Sequence, residues 1–231
     1  MSLRQVHHAL IRSLSLNPQT ANFNSQELDR HADVINNRVR FGYEAEFWPL
    51  EMDVLEVSFD PGELRIVLFD EYGIGMVDRN QCAYRDNPSF ADTPPISGVK
   101  WVKGGIILPA SAPAVVYLKF RPPTPRFSLQ PWDKDVAYFE GDLAYVQNEG
   151  DCYRALIQNE DQRPAESPVQ WERVVFPEFL FNYVRYGCHA DMISEDLNKQ
   201  QSTVSAENEM ERLRDLFVEQ SGSGRRISYS R

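Results

Sequence analysis

The sequence predicts an α+β fold, and three observations carry that reading. Apolar residues recur at helical spacing near both ends of the chain. Through the middle they recur at period two, in short runs separated by turn residues. The two regimes are segregated, where parallel strand–helix–strand units would alternate them. The expected layout is N-terminal helices packed on an antiparallel β meander or sandwich, then a small aromatic β module, then C-terminal helices. With 231 residues, 42% of them hydrophobic, the chain is long enough to bury a sizeable core.

Leu3, Val6, Leu10 and Leu14 form the first apolar stripe, which Asn17-Pro18 stops. Asn24 and Glu27 have the spacing of a reciprocal capping box. Behind them Leu28, Ala32, Ile35, Val39, Tyr43 and Phe47 fall on one helical face, and Pro49 ends the run. The opposite face, with Asp29, Asn36 and Arg40, is solvated or meets a polar partner. From Asp53 the period becomes two: Leu55, Val57 and Phe59 share a face, and Asp60-Pro61-Gly62 turns the chain. Runs from Leu64 to Phe69 and from Ile74 to Val77 read as the next strands of a meander. A proline-containing loop over 80–95 precedes three more candidate strands, Ile96–Trp101, Gly105–Leu108 and Val115–Arg121. These features define a domain over 1–120. Residues 121–131, opening Arg121-Pro122-Pro123-Thr124-Pro125-Arg126, read as a stiff linker.

After the module at 132–175, residues 176–231 read as C-terminal helices and a flexible tail. Pro177 begins a helix carrying Phe179, Leu180, Tyr183, Val184 and Cys188. A polar connection spans Asn198 to Thr203. Ser205 then caps a last helix with Met210, Leu213, Leu216 and Phe217 as its stripe. The final Ser-Gly-Ser-Gly-Arg-Arg-Ile-Ser-Tyr-Ser-Arg is expected to order only on a partner.

Charge and chemistry exclude several function classes. Against 34 acidic residues stand 24 Lys and Arg, a net −10, which argues against a phosphate-gripping role. No apolar run approaches the ~18–20 residues that span a bilayer, so no membrane contact is expected. The opening residues lack a secretory signal pattern. Cys82, Cys152 and Cys188 are too few for a disulfide framework. The adjacent His7-His8 and Cys188-His189 lack metal-site spacing, and no phosphate-binding glycine loop or nucleophile elbow occurs. No catalytic residue, metal or cofactor is therefore expected. Between 176 and 220, nine acids face four bases, so half of the charge excess sits there.

The segment 132–175 carries Trp132, Tyr138, Gly141-Asp142, Tyr145, Tyr153-Arg154-Ala155, Pro164 and Trp171. It reads as a mini-sheet whose five aromatics, Trp132, Tyr138, Tyr145, Tyr153 and Trp171, supply a core. The layout resembles the small chitin- and cellulose-binding-type carbohydrate modules over about a fifth of the chain. The resemblance implies polysaccharide binding through exposed tryptophans after the Tyr-x-Ala strand. Here that stretch, Leu156 to Asp161, has no aromatic, so a rigid docking domain is the leading reading of it.

Over most of the chain, a wider pattern resembles structural proteins of tailed bacteriophages. It comprises a capped helix ending Phe47-Trp48-Pro49, then Gly73-Ile74-Gly75-x-Val77, a Tyr84-x-Asp86-Asn87-Pro88 loop, and Trp171-x-x-Val174-x-x-Pro177-x-Phe179-Leu180-x-x-Tyr183-Val184. The resemblance implies a non-enzymatic virion protein of the head–tail connector, neck or tail, assembled in the host cytoplasm. Its partners would be copies of itself in a ring and portal or tail components, with DNA only as passing genome. The expected contact residues are Phe47, Trp48, Tyr183, Tyr186, Arg225, Arg226 and Tyr229. The alternative is a tail-associated protein that binds host-surface polysaccharide through the aromatic module.

Overall fold

The computed structural model describes residues 3–46, 48, 52–60, 62–79, 81–90, 93–193 and 196–227, with side chains for all of these except 196–197 and 218–227. The chain is α+β, with four α-helices and three small antiparallel sheets among the described residues. It divides into two compact units: Met1–Ala45 with Pro125–Arg231, and Glu46–Thr124. This differs from the expected 1–120 domain. The two N-terminal helices find their partners in the C-terminal half, and residues 46–124 form a unit of their own.

In the 46–124 unit, strand β1 (Asp53–Ser58) is followed by β2 (Ile66–Leu68), β3 (Ala83–Tyr84), β4 (Lys100–Val102), β5 (Gly105–Ile107) and β6 (Val115–Phe120). They form two sheets, ordered β1-β6-β3 and β2-β5-β4. A meander would pair β1 with β2. Instead β1 pairs with β6, setting Leu55 opposite Leu118 and Val57 opposite Val116. The cause is burial: these two runs have the strongest period-two apolar faces, and joining them buries both. The expected strand at Ile74–Val77 reduces to a single bridge from Met76 to Arg121. Ile74 and Val77 are both buried.

The proline-rich stretch is docked at both of its ends. Arg121 is buried, and its guanidinium donates to the Glu46 carbonyl at 3.0 Å. A Cβ on Gly75 would stand 2.6 Å from the Pro122 carbonyl oxygen. In the other unit, the Asn36 side chain clasps Phe127 with two hydrogen bonds of 2.8 Å each, donating to its carbonyl and accepting from its N–H. Gln130 donates to Asp29 at 2.8 Å. The polar face of the second helix thus meets this chain's own 127–130 segment.

The larger unit is organised around α3 (Phe181–Met192), against which α1 (Leu3–Ser13), α2 (Ser25–Glu44) and α4 (Asp196–Ile227) pack. The capping box of α2 is present, with Glu27 N–H donating to Asn24 Oδ1 at 3.0 Å and Asn24 N–H to Glu27 Oε2 at 2.9 Å. Two glycines set the helix spacing. A Cβ on Gly42 would meet the Tyr183 ring at 2.8 Å, and one on Gly187 would meet Arg38 Cδ at 2.6 Å. Arg38 in turn makes a two-pronged ion pair with Asp191 at 2.5 and 2.6 Å, which raises its already high pKa. Gly42→Ala is expected to lower stability by about 1 kcal/mol, because overpacking of ~1–3 kcal/mol outweighs the helix propensity gained. Urea unfolding measures it.

Helix α4 starts earlier and ends later than expected. Residues 198–203 are helical because α3 supplies tertiary contacts that override weak propensity: Ser202 is buried and its hydroxyl lies 2.8 Å from His189 Nδ1. Ser205 is no cap, since its hydroxyl donates to the Gln201 carbonyl one turn back at 2.9 Å. Residues 221–227, expected as flexible tail, continue the helix. Extending a nucleated helix costs far less than starting one.

The aromatic segment forms the third sheet, β7 (Leu143–Val146), β8 (Asp151–Ala155) and β9 (Trp171–Val174), ordered β7-β8-β9. Its turns pass through Gly141 and Gly150 at φ +91° and +80°.

Candidate functional site

The structure places the sequence-predicted contact residues unevenly. Trp48 is only 1% exposed and Tyr183 only 8%, so both are core residues. Tyr183 was drawn inward by Gly42, whose missing side chain leaves room for its ring. Phe47 and Tyr229 lie outside the described residues, as do the side chains of Arg225 and Arg226. Tyr186 is half-buried, with the Arg185 guanidinium 5.4 Å from its ring centre.

The module aromatics point inward. Tyr138, Tyr145, Tyr153 and Trp171 are buried, and Trp132 is half-buried against their cluster. Trp171 meets the Tyr138 ring edge-on at 5.0 Å and donates its indole N–H to the Gln162 carbonyl at 2.9 Å. The Tyr138 hydroxyl accepts from the Asp133 N–H at 2.9 Å. Tyr153 donates to Glu149 at 2.6 Å, and burial with that carboxylate pushes its phenol up to about 12. Tyr138, Tyr153 and Trp171, with Trp132 against them, are a mini-core on one face of the three short strands, Tyr145 is buried on the other face, and the five rings form no exposed strip on which a sugar could stack. The aromatic count in the sequence was the right signal for a compact module; it says nothing about which way the rings face.

Exposed apolar side chains share one face of the β2-β5-β4 sheet. Cross-strand partners share a face. Val67 and Ile106 are fully buried on the inner side. On the outer side the register aligns Ile66 with Ile107 and Lys100, and Leu68 with Gly105 and Val102. Ile66, Leu68 and Val102 are each 37–39% exposed, and Leu64, just before β2, is 70% exposed. At the β4 edge Trp101 is 41% exposed, packed edge-on against Phe69 at 6.2 Å, with Arg79 5.8 Å from its ring centre. This outer face, apolar except for Lys100, is the candidate assembly surface. Its sequence signal was the unusual run Leu64 to Phe69, apolar on both strand faces, where a half-solvated strand would alternate.

A second surface lies in the helical unit. His8 and Arg12 on α1, and Arg185 and His189 on α3, line a groove of about 780 Å³ with Tyr186 and Ser13. Burial, then Arg4 and Arg12, lowers the His8 pKa. Reading His8 and His189 only against their sequence neighbours missed this groove. Each stands four residues from an arginine on its own helix, the spacing that places both on one face.

Other ionisable groups serve the interior. His7 and His31 are buried with ring nitrogens 3.0 Å apart, and Phe23 packs edge-on against His31 at 4.9 Å. Burial, then His31, lowers His7 to about 4. Cys82, Cys152 and Cys188 are buried free thiols, and burial raises all three, Cys152 to about 11. Among the described residues, no group of three or more His, Cys, Asp or Glu is placed to hold a metal ion. Among the same residues, no helix is long and apolar enough to cross a membrane.

No protein-family model matches the chain, and no curated protein matches it in sequence.

Proposed function

We propose that the chain is a non-enzymatic structural protein that acts by docking onto other protein surfaces, as a ring-forming component of a tailed-phage virion in the head–tail connector or the tail. The observation that carries this reading is the outer face of the β2-β5-β4 sheet, where Ile66 and Leu68 stand exposed two residues apart on β2 and Val102 stands exposed across Gly105 from Leu68. A small antiparallel sheet in a monomer normally keeps its outer face polar. Contiguous apolar surface of this kind marks protein–protein contact. The virion assignment adds the pattern running from the capped helix through the Trp171–Val184 segment, which resembles phage structural proteins. The inward packing of the module rings supports the docking reading over polysaccharide recognition.

The test is sedimentation velocity on the purified chain, with mass spectrometry of particles from a phage encoding it. An assembly of defined stoichiometry and a fixed copy number per particle are expected. A monomer at every soluble concentration, absent from particles, would overturn the reading. Ile66→Lys with Leu68→Lys should weaken assembly at least about tenfold, the scale of losing a central contact. Far-UV circular dichroism should stay unchanged, because both side chains are already partly in water.

A further inference from the structure

The α1–α3 groove has a chemistry opposite to that of the chain as a whole. Its lining includes Arg12 and Arg185 and no carboxylate, in a chain of net charge −10. Both arginines are exposed, and neither forms an ion pair among the described residues. His8–Arg12 and Arg185–His189 place their side chains in two rows, each one helical turn long, ~5–6 Å. Tyr186 also lines the groove, as does Ser13, whose hydroxyl donates to the Leu10 carbonyl at 2.6 Å. Such a groove is built for carboxylates repeated at one-turn pitch.

Helix α4 carries that repeat. Glu207, Glu211 and Asp215 follow at intervals of four, all exposed, and none is ion-paired among the described residues. Of the two bases within this stretch, Arg212 is taken by Glu209 at 2.5 Å, and Arg214 stands between Glu211 and Asp215 in sequence. Their side of the helix is turned away from Ala206, Met210 and Leu213, which are buried. Like charges one turn apart cost a helix ~0.2–0.5 kcal/mol per pair, a cost that an incoming cationic surface reverses.

We propose that the α1–α3 groove of one copy receives the Glu207/Glu211/Asp215 stripe of α4 from a second copy. This rests on the assembly reading above and names the partner in it. Groove and stripe are different surfaces of the same chain, so two copies can exchange the contact reciprocally in a two-fold dimer or pass it on head-to-tail. Repeated, it closes into a ring where the rotation allows and otherwise grows a filament. Electrostatic contact between exposed groups also makes the assembly weaken as salt rises.

The experiment uses two full-length variants, one with Arg12→Glu and Arg185→Glu, the other with Glu207→Arg and Glu211→Arg. Circular dichroism first checks that each folds, and sedimentation velocity then follows each alone and the two mixed at equal concentration. Alone, each variant should assemble at least about tenfold more weakly than the natural chain. Mixed, they should recover assembly, because the acidified groove meets the basic stripe while the unaltered groove and stripe meet each other. Undiminished assembly of either variant overturns the proposal, as does loss without recovery on mixing. If the natural chain assembles and only the Ile66/Leu68 variant dissociates it, the groove contact fails while the assembly reading stands. If the natural chain is monomeric throughout, both fail. A groove that binds inorganic phosphate or an acidic peptide of another protein, in a chain that stays monomeric, also overturns it.

Discussion

Trp171→Ala should destabilise the larger unit by about 3–5 kcal/mol, the range for removing a fully buried large aromatic. Trp171 is 2% exposed, is paired with Ala155 across β8 and β9, meets the Tyr138 ring at 5.0 Å and donates to the Gln162 carbonyl. The substitution leaves a cavity among few residues. It also strips the Gln162 carbonyl of a donor. Trp171→Phe keeps most of the apolar area and should cost less. Guanidinium unfolding of both variants separates the ring's packing from its hydrogen bond. A loss below about 1 kcal/mol for the alanine variant would contradict a core role.

Acidification should destabilise the same unit, starting well above the range in which carboxylates titrate. His7 and His31 share one hydrogen bond at 3.0 Å in a buried site, one ring donating and the other accepting. Both rings are held uncharged, chiefly by burial. For His7 the charges of His31 and His8 add to that; for His31, Glu27 opposes it and Arg30 adds to it. The unfolded chain takes up a proton on His7 near 6.5, whereas the folded chain resists until about 4. Between those values the unfolded state binds more protons, so stability falls as pH falls. At about 1.4 kcal/mol per pH unit, His7 alone removes about 2 kcal/mol by pH 5 and about 3 by pH 4. Urea midpoints across pH 4–7 should trace that slope, and His7→Leu should flatten it. An unchanged slope in the variant would move the acid sensitivity elsewhere.

What was legible in the sequence followed from local rules. The Asn24–Glu27 capping box, the Ile35–Val39–Tyr43 stripe and the strand runs around Val57 and Val116 depend on neighbours within a turn or a strand, and each appears in the structure. What was not legible depends on distant partners. Nothing near Leu55 announces that its opposite number is Leu118. Nothing near Ser202 announces that His189 will hold a polar run in helix. The assembly surface was hidden for the same reason. Trp48 and Tyr183 look like contact residues by type, but exposure is a property of the finished packing. Ile66 and Leu68 look like core and stand in water.

The division of the chain has a consequence for its synthesis. The 46–124 unit is an insertion between two parts of the other unit, and both of its sheets close using residues that leave the ribosome before Pro125. Helices α1 and α2 emerge first, yet α3, the element they pack against, begins at Phe181. At ~5–20 residues per second, the apolar stripes of the first two helices wait several seconds or more for it. During that interval Leu10, Ile35 and Val39 are available to any hydrophobic surface nearby. A nascent chain held at about residue 165, long enough for β6 to clear the exit tunnel but too short to contain α3, should therefore protect the inserted sheets from protease while leaving α1 and α2 cleavable, and it should bind chaperones through those helices.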